Sequence, residues 1–133
     1  MTGRALNAAS TESALVLFAH GARDPQWAEP FKRIQAAVRA RRAGTVVELA
    51  FLELMQPALA DTVDKLIAEG HRRITIAPLF MAQGGHLRND LPKLLDSLRA
   101  AHAGVEFTLL PAVGDVETIL NAIAEWLVAA LPR

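Results

Sequence analysis

Apolar residues in this chain fall into short runs that alternate with longer stretches of helical spacing. The runs lie at about residues 14–19, 46–52, 73–80 and 105–110, and most are rich in Val, Ile, Leu or Phe. Runs of that length and composition fit strands buried on both faces. The longer stretches lie at about 25–42, 57–69, 90–102 and 115–131. Their apolar positions recur every three or four residues, as on one face of a helix. The four stripes are Trp27, Phe31, Ile34 and Val38; Leu59, Val63, Leu66 and Ile67; Leu91, Leu94, Leu95 and Leu98; and Ile119, Ile123, Leu127 and Leu131. Asp24 and Pro25 suit the cap and first turn of the first helix. Pro57 and Gly70 bracket the second.

Strand then helix, four times over, predicts an α/β fold: a four-stranded parallel sheet with helices on both faces and right-handed crossovers. By analogy with flavodoxin-like domains, the expected strand order is 2-1-3-4. Such sheets bind ligands beyond the carboxyl ends of their strands, where the order reverses. Residues 1–13 are polar or small and are expected to form a flexible tail, leaving 14–133 as a single three-layer domain.

Three side chains then fall on one edge of the expected sheet. His20 closes the first run and precedes Gly21; Glu53 ends the second; His86 follows the third across Gly84-Gly85. Two imidazoles and a carboxylate there can bind a divalent metal, move protons, or do both. Glycine beside each histidine lets backbone approach a ligand closely. His71 and His102 follow helices, which places them on the opposite edge, near negative helix ends. Arg23 and Arg88 flank the site histidines as candidate anion partners, or as surface ion pairs. Trp27, Leu54, Met55, Phe80 and Met81 are candidates for an apolar lining, or plain core.

Composition narrows the chemistry. Apolar residues make up 52% of 133 residues, enough for a real core. The 14 basic and 14 acidic residues balance, which argues against a nucleic-acid binder. The chain has no cysteine, so thiolate metal sites, iron–sulfur ligation and disulfides are excluded. No apolar run approaches the roughly 18 residues of a membrane span, and the first residues lack a secretory apolar core. The expectation is a cytoplasmic protein without membrane or nucleic-acid partners. Gln83 to Arg88 reads as a flexible loop, with no nucleotide fingerprint.

Three motifs together resemble the sirohydrochlorin chelatases of the cobalamin-biosynthesis (CbiX) type, within the class II chelatases. They are Leu17-Phe18-Ala19-His20-Gly21-Ala22-Arg23-Asp24-Pro25; Phe51-Leu52-Glu53 with Gln56-Pro57; and Pro78-Leu79-Phe80-Met81 with Gly84-Gly85-His86 and Asp90-Leu91-Pro92. The resemblance implies insertion of Co(II) or Fe(II) into sirohydrochlorin, on the route to cobalamin or sirohaem, with the metal as substrate and no organic cofactor. It implies His20 and His86 as the metal-facing histidines and Glu53 as the acidic residue. Arg23, Arg88, Leu54, Phe80 and Met81 would then contact the tetrapyrrole. As a short form, the chain is expected to be a homodimer. Ala22 stands where the family's opening motif often has serine. The alternatives are a metal or sirohaem carrier of the same fold without turnover, and a flavodoxin-like nucleotide or phosphoryl domain.

Overall fold

The structure, a computed structural model, describes residues 13–133. The expected tail therefore lies almost wholly outside the described residues. Four strands form one parallel sheet: β1 (Ser13–Ala19), β2 (Val46–Phe51), β3 (Arg73–Pro78) and β4 (Glu106–Leu109). Their order is β2-β1-β3-β4, as the flavodoxin analogy predicts. The helices are α1 (Glu29–Arg41), α2 (Leu59–Ala68), α3 (Gly85–Ala101) and α4 (Glu117–Ala130).

The register decides what each face buries. Ala14 pairs with Val46 and Ile74, and Ile74 with Phe107; two residues on, Val16 pairs with Ile76. These side chains share one face, since alternate residues of a strand point the same way. Against that face lie Leu59, Val63 and Leu66 of α2 and Leu91, Leu95 and Leu98 of α3, which together make the main core. The other face holds a smaller cluster around Ala19, Ala28 and Phe51, with Trp27 and Phe31 packed against it.

Two boundaries differ from the sequence expectation, each for a local reason. The first helix starts as a 3-10 turn, Pro25–Ala28, and becomes α-helical only at Glu29. Two prolines, Pro25 and Pro30, sit in the first turns of these segments, where a missing N–H costs little. The third helix begins at Gly85, not near residue 90, so His86 and Arg88 lie in its first turn rather than in a loop. Pro92 then falls inside it, at a cost of about 3 kcal/mol. Burying Leu91, Leu95 and Leu98 offsets that cost, at about 1.5–3 kcal/mol each.

A third difference concerns α4. Its apolar stripe was expected to face the sheet, yet no residue of α4 is buried.

The histidines at the amino edge have structural roles. His102 caps α3, and its Nε2 lies 3.2 Å from Asp64 Oδ1. His71 is buried, and its Nδ1 has no hydrogen-bond partner. Burial lowers its pKa from the usual value, with Glu69 and Glu48 opposing in part. Between the lowered value and about 6.5, the unfolded chain binds the proton that the folded chain refuses. Stability contributed here is full above about pH 6.5 and is lost as pH falls through the folded value. The unfolding midpoint should therefore drop between about pH 7.5 and pH 5.5, and drop less in His71→Leu. Equal slopes in the two proteins would remove His71 as the cause.

Candidate functional site

The carboxyl edge of β1 and β2 is built by a ladder that outlasts the strands. Leu52 N–H donates to Ala19 O at 2.9 Å, and Glu53 N–H to His20 O at 3.0 Å. This pairing sets His20 and Glu53 side by side. Gly21 makes the close approach possible: its φ is +100°, and a Cβ there would lie 1.8 Å from Glu53 O. The glycine thus admits the Glu53 backbone, rather than a ligand as the sequence suggested.

Beyond Glu53 the chain turns sharply. Met55 N–H donates to Glu53 O at 2.8 Å, and the intervening Leu54 has φ +64°. A three-residue turn with a positive central φ is a rare and strained form. Leucine there costs on the order of 1–3 kcal/mol, which the surrounding ladder must hold.

The side chains meet. His20 Nε2 lies 3.0 Å from Glu53 Oε1, and the two are 52% and 55% exposed. At that exposure an ion pair adds only about 0–1 kcal/mol of stability. Its effect is orientation. An ionised carboxylate can only accept, so Nε2 donates in this bond, and in the neutral ring Nδ1 then holds the lone pair. Glu53 thereby fixes both ring and tautomer, as carboxylates do for metal-binding histidines. Phe80 supports the ring from beneath: its centroid is 6.1 Å from that of His20, edge-on, and 5.7 Å from that of Phe18. Phe80 is 5% exposed, so it is core and a prop for His20 rather than an open surface for a ligand.

His86 is not part of this pair. It is exposed in the first turn of α3, on the same edge of the sheet. Among the described residues, no three His, Cys, Asp or Glu side chains converge as a metal cage. Leu54 and Met81 are each 59% exposed on the loops after β2 and β3. Trp27 and Met55 pack in the smaller core cluster with Phe31 and Leu49. Arg23 and Arg88 are exposed, and neither joins an ion pair with another described residue.

Two clefts open near this edge. One of about 340 Å³ lies between β4 and α3, lined by Gln83, Arg88, Leu91, Leu110 and Asp115 among others. A smaller one, about 210 Å³, is lined by Phe18, Phe51, Leu52, Leu59 and Leu94 among others. Neither is lined by His20, Glu53 or His86; the pair, half exposed, stands on an open edge. Sequence reasoning missed Gly114: its N–H donates to Phe80 O at 3.1 Å, and a Cβ there would lie 1.5 Å from Met81 O. A lone glycine between Val113 and Asp115 carries no signal of that contact.

The sequence profile of the CbiX family matches residues 14–130. The chain belongs to the CbiX family. It is 35% identical to the sirohydrochlorin cobaltochelatase of Methanococcus aeolicus over 62% of this chain, and 35% identical to that of Methanocaldococcus jannaschii over 67%. The chain spans only 57% and 62% of the length of those two relatives. The enzyme of the same name from Saccharolobus islandicus strain L.S.2.15 is 31% identical, with 74% of this chain and 78% of that one matched.

Solved structures agree on the fold. A putative cobalamin biosynthesis CbiX protein from Marinobacter aquaeolei VT8 has TM-score 0.76 and 30% identity, covering 88% of this chain and 95% of that one. The sirohydrochlorin chelatase SirB from Bacillus subtilis subspecies spizizenii, solved with cobalt, has TM-score 0.73 and 18% identity. It covers 90% of this CbiX chain and 51% of SirB, and at that identity it speaks for the fold alone.

Proposed function

We propose that this CbiX protein is a chelatase that inserts a divalent metal, Co(II) or Fe(II), into sirohydrochlorin. The observation that carries the reading is the His20–Glu53 pair, set 3.0 Å apart on the carboxyl edge of a CbiX-family sheet. The names of its relatives support the substrate.

Insertion exchanges two pyrrole N–H protons for one metal ion. The protein must hold a flat polyanion, present a metal to one face, and take up protons. His20 Nδ1, left free by the bond to Glu53, is a nitrogen ligand of the borderline kind suited to Co(II) and Fe(II). An open edge with few protein ligands suits a metal that must depart into the macrocycle, whereas a closed cage would retain it. His86 is the second metal-facing histidine in this reading, presented from the first turn of α3. Arg23 and Arg88, without carboxylate partners among the described residues, pair with the substrate's carboxylates. Leu54 and Met81 offer exposed apolar surface to the ring.

We place the protein in the cytoplasm as a homodimer, and its product on the route to cobalamin or sirohaem. No helix among the described residues is long and apolar enough to cross a membrane.

The test is an anaerobic absorbance assay of sirohydrochlorin with Co(II) or Fe(II). The protein should speed metallation catalytically, with many turnovers per chain. Metallation at the uncatalysed rate, with stoichiometric tetrapyrrole binding, would make it a carrier instead.

A further inference from the structure

We propose that the start of α3, residues 85–90, is an arm hinged at Pro92 that carries His86 to and from a metal held by His20. This rests on the chelatase reading above and deepens it, since the second histidine of the site then moves. The sequence builds a weak helix start here. Gly84 at the N-cap has no side chain to accept from the first N–H groups, and the first turn holds no acidic residue. Gly85, the first helical residue, offers no side chain to pack and the least conformational restraint. Pro92, inside the helix, has no N–H for the Arg88 carbonyl, and its ring crowds that carbonyl. The hydrogen-bond ladder of α3 is therefore broken between residues 88 and 92.

Packing divides the helix at the same place. Beyond residue 90, Leu91, Leu95 and Leu98 are each 5% exposed and belong to the main core. Of residues 85–90, only Leu87 is partly buried, against that core; the others are exposed. Open space lies on both flanks. On the β4 side is the cleft of about 340 Å³, between Arg88 and Pro92 of α3 and Leu109 and Leu110. On the side of β1 and β2 is the cleft of about 210 Å³, between Leu94 and Phe18, Phe51 and Leu52. Side chains packed to interior density would clamp the helix start, and open clefts do not. Few buried contacts and solvent-exposed backbone bonds mark a segment that opens locally ahead of the rest.

The two histidines are thus held in opposite ways. His20 is fixed by Glu53 Oε1 at 3.0 Å and propped by Phe80. His86 stands exposed on the arm. Two rigid histidines would retain a metal, as a closed structural site does, whereas this metal must leave for the macrocycle. Tilting the arm toward β1 brings His86 to a metal on His20 Nδ1. Tilting it back toward the β4 cleft leaves the ion with one fewer protein nitrogen and opens it to the pyrrole nitrogens. Pro92 is then a positioning residue, which acts on the reaction only through His86.

Hydrogen exchange read by mass spectrometry on the full chain tests the arm. In the free protein, the amides of residues 88–91 should exchange at least about tenfold faster than those of residues 95–98. Co(II) should slow the first group in the wild type but not in His20→Ala. Two variants stiffen the arm from its two ends. Pro92→Ala restores the missing N–H. Gly84→Ser adds a cap where a Cβ meets nothing within 4 Å. Each should slow exchange of residues 88–91 without Co(II), keep or raise the unfolding midpoint, and lower kcat by about tenfold. Even exchange along α3 overturns the hinge, as does an arm that neither variant stiffens. A full metallation rate in a stiffened variant overturns its role, and so does Co(II) protection that is absent from the wild type or equal in His20→Ala. Should Pro92→Ala fail to fold, Gly84→Ser decides by the same readings. If the wild type does not metallate sirohydrochlorin, the chelatase reading falls, and the exchange profile still decides whether the arm opens.

Discussion

His20→Ala should lower the rate of metal insertion by roughly 10²–10⁴-fold, the range for loss of a positioned acid–base group. Its unfolding midpoint should stay near that of the wild type. The two expectations follow from one geometry. His20 is half exposed, and its bond to Glu53 contributes only about 0–1 kcal/mol to folding. Its reactive nitrogen, by contrast, is aimed by that bond. Glu53 variants separate the remaining roles. If Glu53 orients the ring, Glu53→Gln keeps an oxygen acceptor for Nε2–H and retains most of the rate, while Glu53→Ala falls about 10–100-fold. Equal losses in both variants would mean that the carboxylate charge itself handles protons or metal. His86→Ala belongs in the same series. A wild-type rate in that variant would confine the metal chemistry to the His20–Glu53 pair.

That pair was legible in the sequence because it depends on strands. Apolar runs ending at His20 and near Glu53 place both at one sheet edge, and parallel pairing of β1 with β2 makes them neighbours. His86 was not legible in the same way. Its position depends on the path of residues 79–84 and on where α3 starts, and two glycines followed by polar residues read as loop. The helix nevertheless extends back to Gly85, because Leu91, Leu95 and Leu98 anchor it to the core despite Pro92. The stripe of α4 was equally plain in the sequence. What the stripe covers was not, because periodicity marks an apolar face without saying which sheet receives it. Phe80 shows the same limit: an aromatic beside the site reads as ligand surface or core, and only packing against Phe18 and His20 decides.

The larger expected effect on stability comes from Gly21→Ala. Gly21 and Gly70 have nearly the same positive φ, +100° and +98°. At Gly70 an added Cβ meets nothing within 4 Å, so Gly70→Ala measures the conformational cost alone, about 1 kcal/mol or slightly more. At Gly21 the Cβ would lie 1.8 Å from Glu53 O, a backbone atom that cannot rotate away. Relief requires moving the Glu53 peptide by more than an ångström, against its own N–H bond to His20 O and the tight turn at Leu54. Overpacking of that kind adds about 1–3 kcal/mol. Gly21→Ala should therefore lose about 2–4 kcal/mol in urea denaturation, a large share of the 5–15 kcal/mol typical of a domain. Where the variant still folds, its metallation rate should fall toward that of Glu53→Ala, because the carboxylate leaves His20. Equal stability of Gly21→Ala and Gly70→Ala would show that the β2 loop yields freely, and that the 3.0 Å pair is not held by the backbone beneath it.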